Sequence, residues 1–125
     1  MSKHFKPTES ELEILSILWE KGTATVREVH EVVNKTKDVG YTTTLKLMQI
    51  MNEKGLVTRN ETAKTHIYIP SLQKEAAQEQ FVSKMIQTLF SGSTSQLVLQ
   101  ALGNHQPSQQ DLVDIKSMIE KLERK

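Results

Sequence analysis

The run Tyr41-Thr42-Thr43-Thr44-Leu45-Lys46-Leu47-Met48-Gln49-Ile50-Met51 sets hydroxyl, amide and ammonium groups at helical spacing. With Leu47, Met48 and Met51 turned inward and Thr44 beside them, Thr42, Thr43, Leu45, Lys46, Gln49, Ile50 and Glu53 fall on or near the outward face. A merely solvated face would favour Glu, Lys and Ala; this one opens on three threonines and exposes Leu45 and Ile50. Threonine hydroxyls bond phosphates and base edges, Leu45 and the threonine methyls fit thymine methyls, Gln49 pairs with adenine, and Lys46 neutralises phosphate. The N–H groups opening such a helix also attract a phosphate. Downstream, Arg59, Lys64 and His66 lie near the tip of a β-prone hairpin, where a wing meets the minor groove or backbone. Tyr41 either donates its hydroxyl to a phosphate or staples the helix start to the core. The competing interpretation is that the threonines cap the helix and that Leu45 and Ile50 bury against the hairpin.

Catalysis has little to work with. His4, His30, His66 and His105 are scattered without HxxxH or HExxH spacing, and neither a Gly-rich phosphate loop nor a GxSxG elbow occurs. Surface or boundary histidines are expected, with no catalytic residue, metal site or cofactor. The 125 residues contain no cysteine, which excludes disulfides and thiolate zinc sites.

The elements that must position these groups follow from periodicity. Thr8 and Glu11 form a capping-box pattern before Leu12, Leu15, Leu18 and Trp19, with Gly22 as the stop. A short β-prone link, Thr23-Ala24-Thr25, leads to a second amphipathic helix marked by Val26, Val29, Val32 and Val33. The spacing predicts a third helix from about Thr42 to Lys54, ended by Gly55. Leu56 to Asn60 and Thr65 to Ile69 are β-prone runs joined by a polar turn, and Pro70 stops the second. Helix, link, helix, helix, hairpin is the order of a winged helix. The expected fold is therefore mostly α with a small β-hairpin: a winged helix-turn-helix over residues 1–70, then a helical dimerisation region over 71–125. There, Leu72 to Phe90 and Leu97 to Leu102 are helical, and Pro107 precedes a last helix. In that helix Leu112, Ile115, Ile119 and Leu122 repeat in threes and fours, a narrow seam suited to another helix. With Leu97 and Leu102 they are the expected dimer contacts, in a homodimer of twice 14.2 kDa.

Charge argues against nucleic acid only when averaged. The chain has 16 Lys+Arg and 15 Asp+Glu, a net charge of +1. Thr8 to Asn34 carries a net −4, Lys35 to His66 a net +3, and the residues after Ser71 balance. The third helix and the hairpin are thus the basic part of a neutral protein. No apolar run reaches the ~20 residues of a membrane span, and MSKHFKPTES lacks a signal-peptide core; a cytoplasmic location without membrane insertion is expected.

The run Tyr41 to Val57, with Leu12 to Trp19 upstream and Thr65-His66-Ile67-Tyr68 downstream, resembles the BlaI/MecI/CopY family of penicillinase and methicillin-resistance repressors, from about Pro7 to Leu122. The Tyr-Thr-Thr opening, the Lys-Gly-Leu-Val ending and the Leu-Val-Leu stretch after Phe90-Ser91-Gly92 carry the resemblance. It implies a homodimer whose winged helices bind a palindromic double-stranded operator, with Thr42, Thr43 and Lys46 on the major-groove face. The chain departs from the family in three places. Ile50 stands where members often have arginine, and the cysteine cluster of the copper-responsive branch is missing. Gln100-Ala101 occupies the place where the antibiotic-responsive branch is cut at Asn-Phe by the partner it implies, a membrane sensor protease. The expected function is a non-enzymatic, sequence-specific transcriptional repressor. The alternative is a winged-helix protein-interaction module that docks through Leu45 and Ile50 without specific DNA binding.

Overall fold

A computed structural model describes residues 6–62 and 64–125. His4 lies outside the described residues. The elements are α1 (Glu9–Lys21), β1 (Ala24–Thr25), α2 (Val26–Val33), α3 (Tyr41–Lys54), β2 (Val57–Asn60), β3 (Ile67–Pro70), α4 (Lys74–Leu89), α5 (Thr94–Asn104) and α6 (Gln109–Glu123). The mostly helical winged-helix architecture expected from the sequence is present.

Local rules account for the boundaries. The α1 capping box forms in both directions: the Glu11 N–H donates to Thr8 Oγ1 at 3.2 Å and the Thr8 N–H to Glu11 Oε1 at 2.8 Å. Thr25 and Glu28 repeat the motif at α2, and Ser108 and Asp111 at α6. Gly22 (φ 88°) and Gly55 (φ 84°) end α1 and α3 in the left-handed region that favours glycine.

The hairpin expected from the sequence belongs to a three-stranded antiparallel sheet, in the order β1-β3-β2. The β-prone link supplies the third strand, with Ala24 opposite Tyr68 and Thr25 opposite Ile67. Pro70 is the last residue of β3, opposite Val57, where its missing N–H does least harm to the ladder.

The chain divides into two compact units, one ending at Glu79 and a second comprising Gln80–Lys125. The first buries Leu15, Leu18, Val29, Met48, Met51 and Leu56 completely, with Val57 and Tyr68 from the sheet and Leu72 and Ala77 beyond it. The indole N–H of Trp19 donates to the Leu72 carbonyl at 2.8 Å and ties the segment after the wing to α1. In the second unit α5 and α6 bury no residue.

Long-range ion pairs alter the charge map drawn from the sequence. Lys37 Nζ lies 2.7 Å from Glu13 Oε1, and Lys54 Nζ 2.6 Å from the buried Glu11 Oε1. With the Arg59–Glu61 pair, half the cations of the basic stretch are neutralised internally. Lys35, Lys46 and Lys64 make no ion pair among the described residues. Burial alone would raise the Glu11 carboxyl's pKa, but the bonds from Lys54 and from the Thr8 N–H outweigh it and hold the group below its ordinary value.

Candidate nucleic-acid interface

α3 begins one residue earlier than expected, at Tyr41, with Gly40 as N-cap and no side-chain cap bond. The threonines therefore do not cap it; they occupy the first turn itself. Thr42 and Thr43 are exposed, while Thr44 is buried. Thr44 Oγ1 lies 2.9 Å from His30 Nδ1 of α2, and the His30 ring meets Tyr41 edge-on, centroids 5.6 Å apart. His30 is thus a boundary histidine with a defined task, joining α2 to the opening turn of α3. The sequence reading had no signal for that contact, since it spans 14 residues. Tyr41 stays exposed while making it.

Thr42, Lys46, Gln49 and Glu53 form one exposed stripe along α3, with Thr43 at its edge. The aliphatic residues expected beside them behave differently. Leu45 is half-buried and packs against the core, and Ile50 is half-buried as well. The expectation that both are exposed is corrected: an isolated wheel cannot see the tertiary packing around α3.

Between α3, the start of α2 and the wing lies a groove of about 380 Å³, lined by Arg27, Tyr41, Leu45, Gln49, Arg59, Lys64, His66 and others. It brings together the aromatic, amide and wing residues singled out in the sequence, whereas Thr42, Thr43 and Lys46 lie outside its lining. Arg27, the second residue of α2, was missed because the stretch around it is acidic in sum; it is exposed and makes no ion pair among the described residues.

Arg59 and His66 are more constrained than hairpin-tip residues should be. Arg59 is the third residue of β2, opposite Tyr68, and its Nη2 lies 3.2 Å from Glu61 Oε2. Hydrogen bonding to Tyr68, then pairing with Glu61, hold the guanidinium more firmly protonated than usual. The buried Nε–H of Arg59 has no acceptor. His66 Nε2 sits 4.0 Å from Glu61 Oε1. Lys64 is exposed.

In the second unit, Ile119 and Leu122 are 49% and 60% exposed, whereas Leu97, Leu102, Leu112 and Ile115 are half-buried. Leu99, Val113 and Met118 are also exposed, at 63%, 56% and 56%, so apolar exposure in this unit is not confined to the seam read from α6. Among the described residues no three His, Asp or Glu side chains converge to hold a metal, and no helix is long and apolar enough to cross a membrane.

Comparison with known proteins gives a consistent picture. The family model described as penicillinase repressor matches residues 7–121. A penicillinase repressor of Bacillus licheniformis is 20% identical over 120 residues, covering 96% of this chain and 94% of the relative. The methicillin resistance regulatory protein MecI of Staphylococcus aureus (strain N315) is 21% identical over 120 residues, covering 96% and 98%. The transcriptional regulator BlaI of Mycobacterium tuberculosis is 31% identical over 71 residues, which is 56% of this chain and 51% of the relative.

Proposed function

The chain belongs to the penicillinase repressor family, and from that premise we propose that it is a homodimeric transcriptional repressor that binds a palindromic operator in duplex DNA. In this reading residues 1–70 bind DNA and residues 71–125 hold the dimer. The observation that carries it is the outward face of α3: Thr42, Thr43, Lys46 and Gln49 are all exposed on a helix whose first turn has no side-chain cap. That face suits the major groove, while Tyr41, Leu45, Arg59, Lys64 and His66 flank it on the side of the wing. The two recognition helices of a dimer would enter successive major grooves about 34 Å apart. Repression would follow from operator occupancy, with no catalytic step, in the cytoplasm where the operator is.

The docking-module alternative needs Leu45 and Ile50 as an apolar patch, and the packing of Leu45 on the core removes much of it. Leu97, Leu102, Leu112, Ile115, Ile119 and Leu122 are the proposed dimer contacts, supported by the absence of any buried residue in α5 and α6. Should induction run through a membrane sensor protease, the bond at the matching place is Gln100–Ala101, exposed within α5.

The test is selection of bound sequences from a random duplex pool. Enrichment of an inverted repeat with half-sites 10–10.5 base pairs apart or a multiple of that is expected; a pool that stays random through selection would refute the reading.

A further inference from the structure

Arg59 and His66 of the wing sit close to one carboxylate of the same hairpin. Glu61 is 57% exposed, receives Arg59 Nη2 at 3.2 Å and stands 4.0 Å from His66 Nε2. It is an imperfect partner. The Arg59 guanidinium donates to it through Nη2 alone, and its Nε–H, buried, has no acceptor. A phosphate can take two parallel bonds from a guanidinium fork, which one oxygen of Glu61 does not. Arg27 opens on the same groove from α2 with no carboxylate of its own among the described residues.

We propose that Glu61 is an internal competitor for the seat that Arg27, Arg59 and His66 offer to a DNA backbone phosphate beside α3. The inference rests on the repressor reading and adds a specificity-determining residue to it. While Glu61 occupies Arg59, that side chain contributes little to random duplex, and the residual affinity comes from Arg27, Lys46 and Lys64. When α3 seats in its own sequence, the backbone is delivered to the groove at high local concentration, and the phosphate displaces the carboxylate. Glu61 thereby lowers non-specific binding more than specific binding.

The experiment titrates the full chain and its variants against a fluorescent random-sequence duplex at rising salt. Glu61→Gln is expected to bind about fivefold tighter at low salt, the fold-change of a lost exposed ion pair. Its slope of log affinity against log salt should steepen by about two in the dimer, for one more phosphate engaged per subunit. Glu61→Ala should behave alike, which covers any bond that Gln retains. Combined with Arg59→Ala, neither change should bring a gain, and Glu20→Gln, which removes a charge from α1, should leave the slope at the parental value. An unchanged slope in both Glu61 variants, or a gain that survives Arg59→Ala, overturns the proposal while the parent still binds. A parent that binds no duplex at all removes the repressor reading, and this inference with it.

Discussion

The two units of this protein solve opposite problems. The first closes its core within one chain: Leu15, Leu18, Val29, Met48, Met51 and Leu56 have no exposed surface, and even its buried carboxylate, Glu11, is matched by Lys54 and Thr8. The second leaves Leu99 and Leu122 more than half, and Ile119 about half, in water, although its helix ends are as well capped as those of the first. Good local signals therefore do not distinguish a finished unit from one that needs a partner. Burial does, because apolar surface left in water is a standing free-energy cost that association removes.

Several variants would break or sharpen this contrast. The largest effect belongs to the finished core: Leu18→Ala should cost about 3 kcal/mol in chemical unfolding, from lost burial and the cavity left behind. Next, Ile119→Lys with Leu122→Lys should leave the first unit folded but weaken self-association about 100-fold, or ~2.7 kcal/mol, by sedimentation. A protein already monomeric before the change would break the contrast. Third, Glu11→Gln keeps a capping acceptor but removes the charge that faces Lys54, and should cost roughly 1–2 kcal/mol at neutral pH. Because the folded pKa of Glu11 lies below its ordinary 4.5, its contribution is present above that value and is lost as pH falls through the folded pKa. Thermal melts from pH 7 to 3 should therefore show a shallower acid loss in the variant. The smallest effect is expected for Glu13→Gln, about 0.5 kcal/mol, since its pair with Lys37 is exposed on both sides.

What was legible in the sequence divides by distance along the chain. The Thr8–Glu11 capping box, the stops at Gly22 and Gly55 and the inward turn of Met48 and Met51 with Thr44 beside them are local or periodic and stand as read, whereas Leu47, expected inward with them, is only half-buried. The same local capping signature recurs at Thr25–Glu28 and Ser108–Asp111. Partners chosen across the chain were not legible. The link became a strand only because β3, some 40 residues on, offers Ile67 and Tyr68 to pair with. Leu45 lost its exposure to core packing that no helical wheel includes, and Lys37 and Lys54 left the basic surface for carboxylates of α1, 24 and 43 residues away. The site narrows accordingly. With Arg27, Lys46 and Lys64 as cations without ion partners among the described residues, a dimer would neutralise about six phosphates, a salt slope near −5.

The central claim is that the outward face of α3 reads DNA, and its most direct test is the double variant Thr43→Ala, Lys46→Ala on the operator that the parent selects. Both side chains are exposed, so folding and melting should be unchanged. The account predicts at least about a tenfold loss of affinity and a salt slope shallower by about one per Lys46 removed. Parental affinity and slope in a folded double variant would contradict it.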